Sequence, residues 1–286
     1  MTSSENTAPA APEGVDTDRP AASRIYDWYL GGRTNYAIDR EFGKRAEVTF
    51  PLIKPLAQGN RWWMNRVVQA AADAGIRQII DLGSGVPSVG NAHTILSEGL
   101  PDGEQPAVVY VDYEDVAAAH ARVALEQDEA TGWAGVVQQD LRNDRTVLHD
   151  PQTRRLIDFS QPVCLLFVAV LHFLGPQDRP EDVVRRYAKQ LAPGSWVAIS
   201  HITCDDDAPP ESAEMVRRFV ASYQDTTNPL WLRSHDETRQ LFPAGWPLLE
   251  PGLVHPPNWR PDDGILLAED DKAGAFGWCG VAEKPR

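Results

Sequence analysis

Cysteine is scarce in this chain. Only Cys164, Cys204 and Cys279 occur in 286 residues, with no metal-ligand spacing among them. That argues against a disulfide scaffold or a zinc module and predicts reduced, unpaired thiols in a cytoplasmic protein. Long apolar runs are missing too. The longest, Val163 to Leu171, is far short of the ~20 residues that span a bilayer. The N-terminal stretch Met1 to Arg19 is polar and lacks the apolar core of a signal peptide. Basic clusters are absent as well, against a formal charge of −14. Nucleic acid and anionic membrane are therefore poor partners on electrostatic grounds, and a small-molecule partner is expected.

What remains is enough for one large α/β domain. Residues 1–20 are rich in Ala, Pro, Thr and acids and read as a disordered tail. Residues 21–75 read as a helical cap segment and residues 76–286 as the core. In the cap, Lys54 to Ala74 is helical and ends at Gly75. Its first half, Arg24 to Arg40, mixes Tyr26, Trp28, Tyr29 and Tyr36 with charged residues. It is too polar for a simple core helix, and a lid over a ligand crevice is expected there; the alternative is a helical pair packed permanently on the sheet.

In the core, strands alternate with helices. Strands are predicted over Ile76–Leu82, Ala107–Val111, Val136–Val137, Val163–Leu171 and Trp196–His201. Helices are predicted over Val89–Ser97, Val116–Glu126 and from Pro180, a first-turn proline, to Leu191. This βαβ series implies a parallel sheet with right-handed crossovers. Ser234 to Glu237 reads as a capping box. Leu248–Val254 and Phe276–Ala282 read as an antiparallel pair at the edge, which makes a seven-stranded, mostly parallel sheet.

Ligands bind beyond the carboxyl ends of such strands. The first strand delivers Asp81 and the turn Gly83-Ser84-Gly85, where the backbone can bend sharply and a ligand can approach. Nicotinamide-dinucleotide folds usually keep the Asp81 position apolar and want a third glycine where Ser88 stands, so an NAD-dependent oxidoreductase is disfavoured. The second strand delivers Asp112, whose carboxylate can accept from both hydroxyls of a ribose. Acids beside it would repel a 2′-phosphate. After the third strand, Asp140 can accept from an adenine amine while the N–H of Leu141 meets a ring nitrogen. Strands four and five deliver His172 and His201. The alternatives are ordinary ones: Asp112 or Asp140 as helix or turn caps, and each histidine bonded to a nearby carbonyl. The two histidines lack a third metal ligand by spacing, so no metal is expected.

A larger set of residues carries a resemblance. It comprises Arg24-Ile25-Tyr26-Asp27, Leu30-Gly31-Gly32 with Asn35 and Asp39-Arg40, Asn60-Arg61, and Asp81-Leu82-Gly83-Ser84-Gly85-Val86-Pro87. Gly90-Asn91-Ala92-His93, Tyr110-Val111-Asp112, Gln139-Asp140-Leu141-Arg142, Val170-Leu171-His172-Phe173 and Ser200-His201 complete it. The chain resembles the S-adenosyl methyltransferase family formerly known as a domain of unknown function. Pro87 departs from the general methyltransferase pattern, which often has a third glycine there. The resemblance implies a Rossmann-like class I fold and S-adenosylmethionine as cofactor; it implies no acceptor. The cofactor contacts expected are Asp81, Gly83, Gly85, Asp112, Asp140, Leu141 and Asn35, with Arg33 either pairing with the cofactor carboxylate or standing as a solvated surface arginine. His172 and His201 are the candidate bases. A non-catalytic protein that binds the cofactor is the alternative.

Overall fold

The computed structural model describes residues 18–87, 90–204, 210–226, 228–261 and 272–286. Most of the expected tail, and Val89 at the start of one expected helix, lie outside them.

Three helices come first: α1 (Ala22–Tyr29), α2 (Ala37–Thr49) and α3 (Ile53–Asp73). The long helix α3 stops where the Gly75 N–H bonds Ala72 O and the Ile76 N–H bonds Ala71 O, both 2.9 Å, a closed C-terminal motif. Then come β1 (Gln78–Leu82), α4 (Ala92–Gly99), β2 (Ala107–Asp112), α5 (Asp115–Gln127) and β3 (Ala134–Gln138). They are followed by α6 (Asp144–His149), α7 (Pro151–Leu156), β4 (Cys164–Val168), α8 (Pro180–Lys189) and β5 (Trp196–Ile202). The chain closes with α9 (Pro210–Ser222), α10 (His235–Gln240) and β6 (Gly277–Glu283). The capping box holds: Ser234 Oγ accepts from the Glu237 N–H at 3.3 Å, and Glu237 Oε2 accepts from the Ser234 N–H at 2.8 Å.

The sheet runs β3-β2-β1-β4-β5-β6, with only β6 antiparallel. Side chains alternate across it. Ile80, Leu82, Val109, Leu165, Phe167 and Val197 face α8, whereas Ile79, Val108, Cys164, Leu166 and Ala198 face α3 and α4. Asp81 shares the α3 face with Ile79. Strand order reverses between β1 and β4, which opens a crevice at their carboxyl ends.

Two expectations change. Among the described residues the sheet has six strands rather than seven. Residues 248–254 meet β6 only at the bridges Leu248–Ala282 and Val254–Cys279. Pro251 has no N–H for a ladder and Gly252 turns away at φ +96°, so the run bows out between the two bridges. The first half of the cap also differs. Three of its charged residues, Arg24, Asp27 and Asp39, are buried inside it: Arg24 Nε bonds Asp39 Oδ2 at 2.7 Å, with both side chains almost fully covered. Ile25, Tyr29, Phe42 and Phe50 form a third core with Val216, Phe219, Tyr223 and Phe276. The polar residues tie α1 to α2, and the apolar ones pack on α9.

Candidate active site

A cavity of about 340 Å³ lies over the strand ends, beneath the cap. Of the ten residues singled out from the sequence, eight line it: Asp81, Gly83, Gly85, Asp112, Asp140, Leu141, His172 and His201. The other two do not. Arg33 is exposed on the α1–α2 connection. Asn35 spends its amide nitrogen on Asp27 (2.7 Å) and Gly32 O (3.0 Å), and its oxygen accepts from Arg40 at 3.1 Å. It closes the cap turn and is not a ligand contact.

The glycine turn is built by φ values of +73° at Gly83 and +65° at Gly85. Gly83 is also sterically required, since an added Cβ would lie 2.2 Å from Val170 Cγ2. At Gly85 the nearest neighbour would be Ser23 Cβ at 3.8 Å. Gly83→Ala is therefore expected to lose about 2–4 kcal/mol of stability, from a strained φ plus overpacking. Gly85→Ala should lose only about 1–2 kcal/mol. Urea melts of both variants check this; equal losses would mean that space at Gly83 is not limiting.

Asp112 braces this turn. Its Oδ2 accepts from the Gly85 N–H at 2.8 Å and its Oδ1 from the Glu114 N–H at 2.9 Å. It does the work of a turn cap and still has lone pairs to offer a ligand. Asp81 is different. It is 4% exposed and takes no hydrogen bond from a described residue. Burial, with the Asp112 charge adding and Arg61 opposing, pushes its carboxyl up to about 7. Glu114, bonded by Ser23 Oγ, is likewise raised to about 7 by burial and by Asp112.

Arg61 was not singled out from the sequence as a site residue. It lines the cavity from α3, its Nε is buried without a partner, and its guanidinium lies 5.8 Å from the Tyr26 ring centroid. A signal existed. Arg61 is half-buried and stands in helical register with the buried Ala57 and Met64 of α3, where a charge is out of place unless it has a task.

Asp140 stands where expected, but its oxygens are spent. Arg142 Nε lies 3.0 and 2.9 Å from the two carboxylate oxygens, Arg142 Nη2 lies 2.6 Å from Oδ2, and the Arg142 N–H adds a 2.8 Å bond to Oδ1. Burial would raise this carboxyl, yet the Arg142 bonds hold it below its ordinary value. A carboxylate offers about four lone-pair sites, so the adenine-amine role does not fit Asp140 in this arrangement. It anchors Arg142, whose other arm reaches Asp178 at 3.0 Å.

Both histidines are held in the neutral form. His201 Nδ1 donates to Ile202 O and Nε2 accepts from Arg233 Nη1, both at 2.7 Å. Burial, His172 and Arg233 together push it well below its ordinary value. His172 follows β4 in a short 3-10 turn, its ring centroid 5.5 Å from that of His201. Burial and Arg233 push it down to about 3, so it is neutral at physiological pH and a poor proton acceptor. Its Nδ1 is buried without a partner.

A parallel sheet with an antiparallel last strand, and carboxylates at the ends of β1 and β2 above a glycine turn, define a class I methyltransferase fold. Residues 8–285 match the S-adenosyl methyltransferase family, and the chain belongs to it. A protein assigned as a methyltransferase from Thermobifida fusca is 32% identical, with a TM-score of 0.85 over 96% of this chain and 98% of that one. A DUF574 family protein from Streptomyces avermitilis is 33% identical, with a TM-score of 0.84 over 94% of this chain and 99% of that one. The S-adenosylmethionine-dependent methyltransferase SibL, 17% identical, shares the fold, with a TM-score of 0.52 over 94% of this chain and 64% of that one. No curated protein matches. The protein is an S-adenosylmethionine-dependent methyltransferase. Among the described residues no helix is long and apolar enough to cross a membrane.

Proposed function

We propose that this chain transfers a methyl group to a small molecule, with the cofactor over the ends of β1 to β3 and the acceptor over β4 and β5. The observation that carries this is the pair of unspent charges, Asp81 and Arg61, facing one cavity. A free amino acid end has an ammonium and a carboxylate a few atoms apart. Asp81 suits the first and Arg61 the second. Asp112 suits the ribose diol, and the Gly83–Gly85 turn lets the nucleoside approach the backbone. When bound, S-adenosylmethionine supplies an electrophilic methyl group on a sulfonium. The protein's share is then to hold two reactants in line and to keep water out. The cap does the second, with Tyr26 Oη donating to Ala57 O at 3.1 Å and accepting from Asn60 at 2.8 Å. Over β4 and β5 neither histidine is set up as a strong base, which suits an acceptor that gives up its proton readily.

S-adenosylhomocysteine should raise the melting temperature, because a ligand that binds only the folded state stabilises it; NAD should not. A shift with NAD alone would reject the cofactor site as drawn.

The shift should also depend on pH. The carboxyls of Asp81 and Glu114 titrate near 7 in the folded protein, above their ordinary range. For acids raised in this way, the stability they contribute is complete below the ordinary carboxylate range and is lost as pH rises through about 7. A cofactor ammonium needs ionised Asp81. The melting shift from S-adenosylhomocysteine should therefore be larger at about pH 8 than at about pH 5.5. A larger shift at the lower pH would remove Asp81 from the ammonium contact.

A further inference from the structure

The acceptor half of the cavity has its own chemistry. The walls over β4 and β5 are Tyr29, Phe173, Phe219, Tyr223, Leu230 and Trp231, flat or apolar side chains supplied by the cap, the turn after β4, and α9 with the loop after it. Tyr29 and Tyr223 pair through their hydroxyls at 3.4 Å, and burial raises both phenols, so neither brings a charge. Of the lining carboxylates, Asp178 follows β4 and is held by Arg142 and by the Gly175 N–H at 3.0 Å each. Among the described residues a cationic amine would find no free counter-charge there.

Behind the two histidines sits Arg233, 9% exposed and outside the cavity lining. Its donors go to Leu171 O at 3.0 Å, Leu174 O at 2.7 Å and His201 Nε2. This buried guanidinium cannot grip a ligand carboxylate directly, but its field disfavours a cation nearby and favours a partly negative oxygen. In front of it His201 is fully bonded, which leaves His172. That ring is 92% covered, edge-on to Phe173 with centroids 4.5 Å apart, and its Nδ1 has no partner.

We propose that the acceptor is an uncharged, planar aromatic molecule carrying a hydroxyl, seated over β4 and β5 with that hydroxyl on His172. The proposal rests on the cofactor reading above. The aromatic oxygen forms its bond to the methyl carbon as the carbon–sulfur bond breaks. The bonding pair stays with sulfur, and the hydroxyl proton leaves to water. His172 orients the hydroxyl as a neutral hydrogen-bond partner and does not keep the proton.

The test uses three probes built on one ring, 4-nitrophenol, nitrobenzene and 4-nitrobenzylamine, titrated by calorimetry at about pH 5.5, where the phenol is neutral and the amine charged, into the full chain saturated with S-adenosylhomocysteine. The phenol should bind about tenfold tighter than nitrobenzene, the scale of one hydrogen bond, and the amine weakest. In His172→Phe the phenol's advantage should fall to within about twofold, and His172→Asn, which keeps a polar group, should retain part of it. Binding of S-adenosylhomocysteine to both variants shows that they are folded. Equal binding of phenol and nitrobenzene to the wild type, preference for the amine, absence of binding by all three, or an unchanged phenol advantage in His172→Phe would each overturn the proposal. Failure of S-adenosylhomocysteine to bind the wild type would overturn the cofactor reading instead.

Discussion

Deletion of residues 1–40 is expected to yield an aggregating chain with no cooperative melt. A detachable lid would be polar towards the sheet, and α1 is not. Ile25 is 0% and Tyr29 2% exposed, and both pack with Phe50, Phe219 and Phe276. Each such side chain contributes about 1.5–3 kcal/mol by burial, and the truncation also uncovers their partners, against a net stability of about 5–15 kcal/mol. The deletion further removes the buried Arg24–Asp39 pair, whose Asp39 carboxylate also accepts from the N–H groups of Ala21 (3.1 Å) and Tyr36 (2.9 Å). Amide exchange over Tyr26 to Arg40 should accordingly be slow with and without S-adenosylhomocysteine. A soluble truncated protein with a sharp melt would restore the lid.

The second large effect is expected from Asp81→Asn. The substitution keeps shape but removes a buried charge that has no hydrogen bond of its own. Without ligand at about pH 8 the variant should melt no lower than the wild type, because the cost of ionising a buried carboxyl is gone. Affinity for S-adenosylhomocysteine should nevertheless fall about 10- to 100-fold, the range for a hydrogen bond between charged groups. Stability and binding would then move in opposite directions, which separates a ligand contact from a structural carboxylate. A variant that loses both together would mark Asp81 as a fold residue.

Much of this site was legible because β-strands state their ends plainly. An apolar run that stops at Asp81 or Asp112 and breaks into glycine or acids can be read without coordinates, and β1, β2, α5 and α8 fell within a residue or two of their expected bounds. What could not be read depended on partners far along the chain. The state of His201 is set by its burial, by His172 and by Arg233, 32 residues on. Nearer by, the lone pairs of Asp140 are consumed by Arg142, whose guanidinium the turn folds back onto it. Arg61 was hidden because a helix before the sheet reads as packing, and one charge at the edge of its buried stripe is a weak signal beside three acids at strand ends. The edge strand was over-read because Leu248 to Val254 has strand composition on both sides of a Pro-Gly step that interrupts it.

The central claim is that the cofactor's amino acid end lies between Asp81 and Arg61. It is tested most directly by titrating S-adenosylhomocysteine and 5′-methylthioadenosine, which lacks the amino acid, into the wild type and Arg61→Gln. Arg61→Gln should weaken S-adenosylhomocysteine about 10- to 100-fold and leave 5′-methylthioadenosine within about twofold. Equal weakening of both ligands, or of neither, would contradict it.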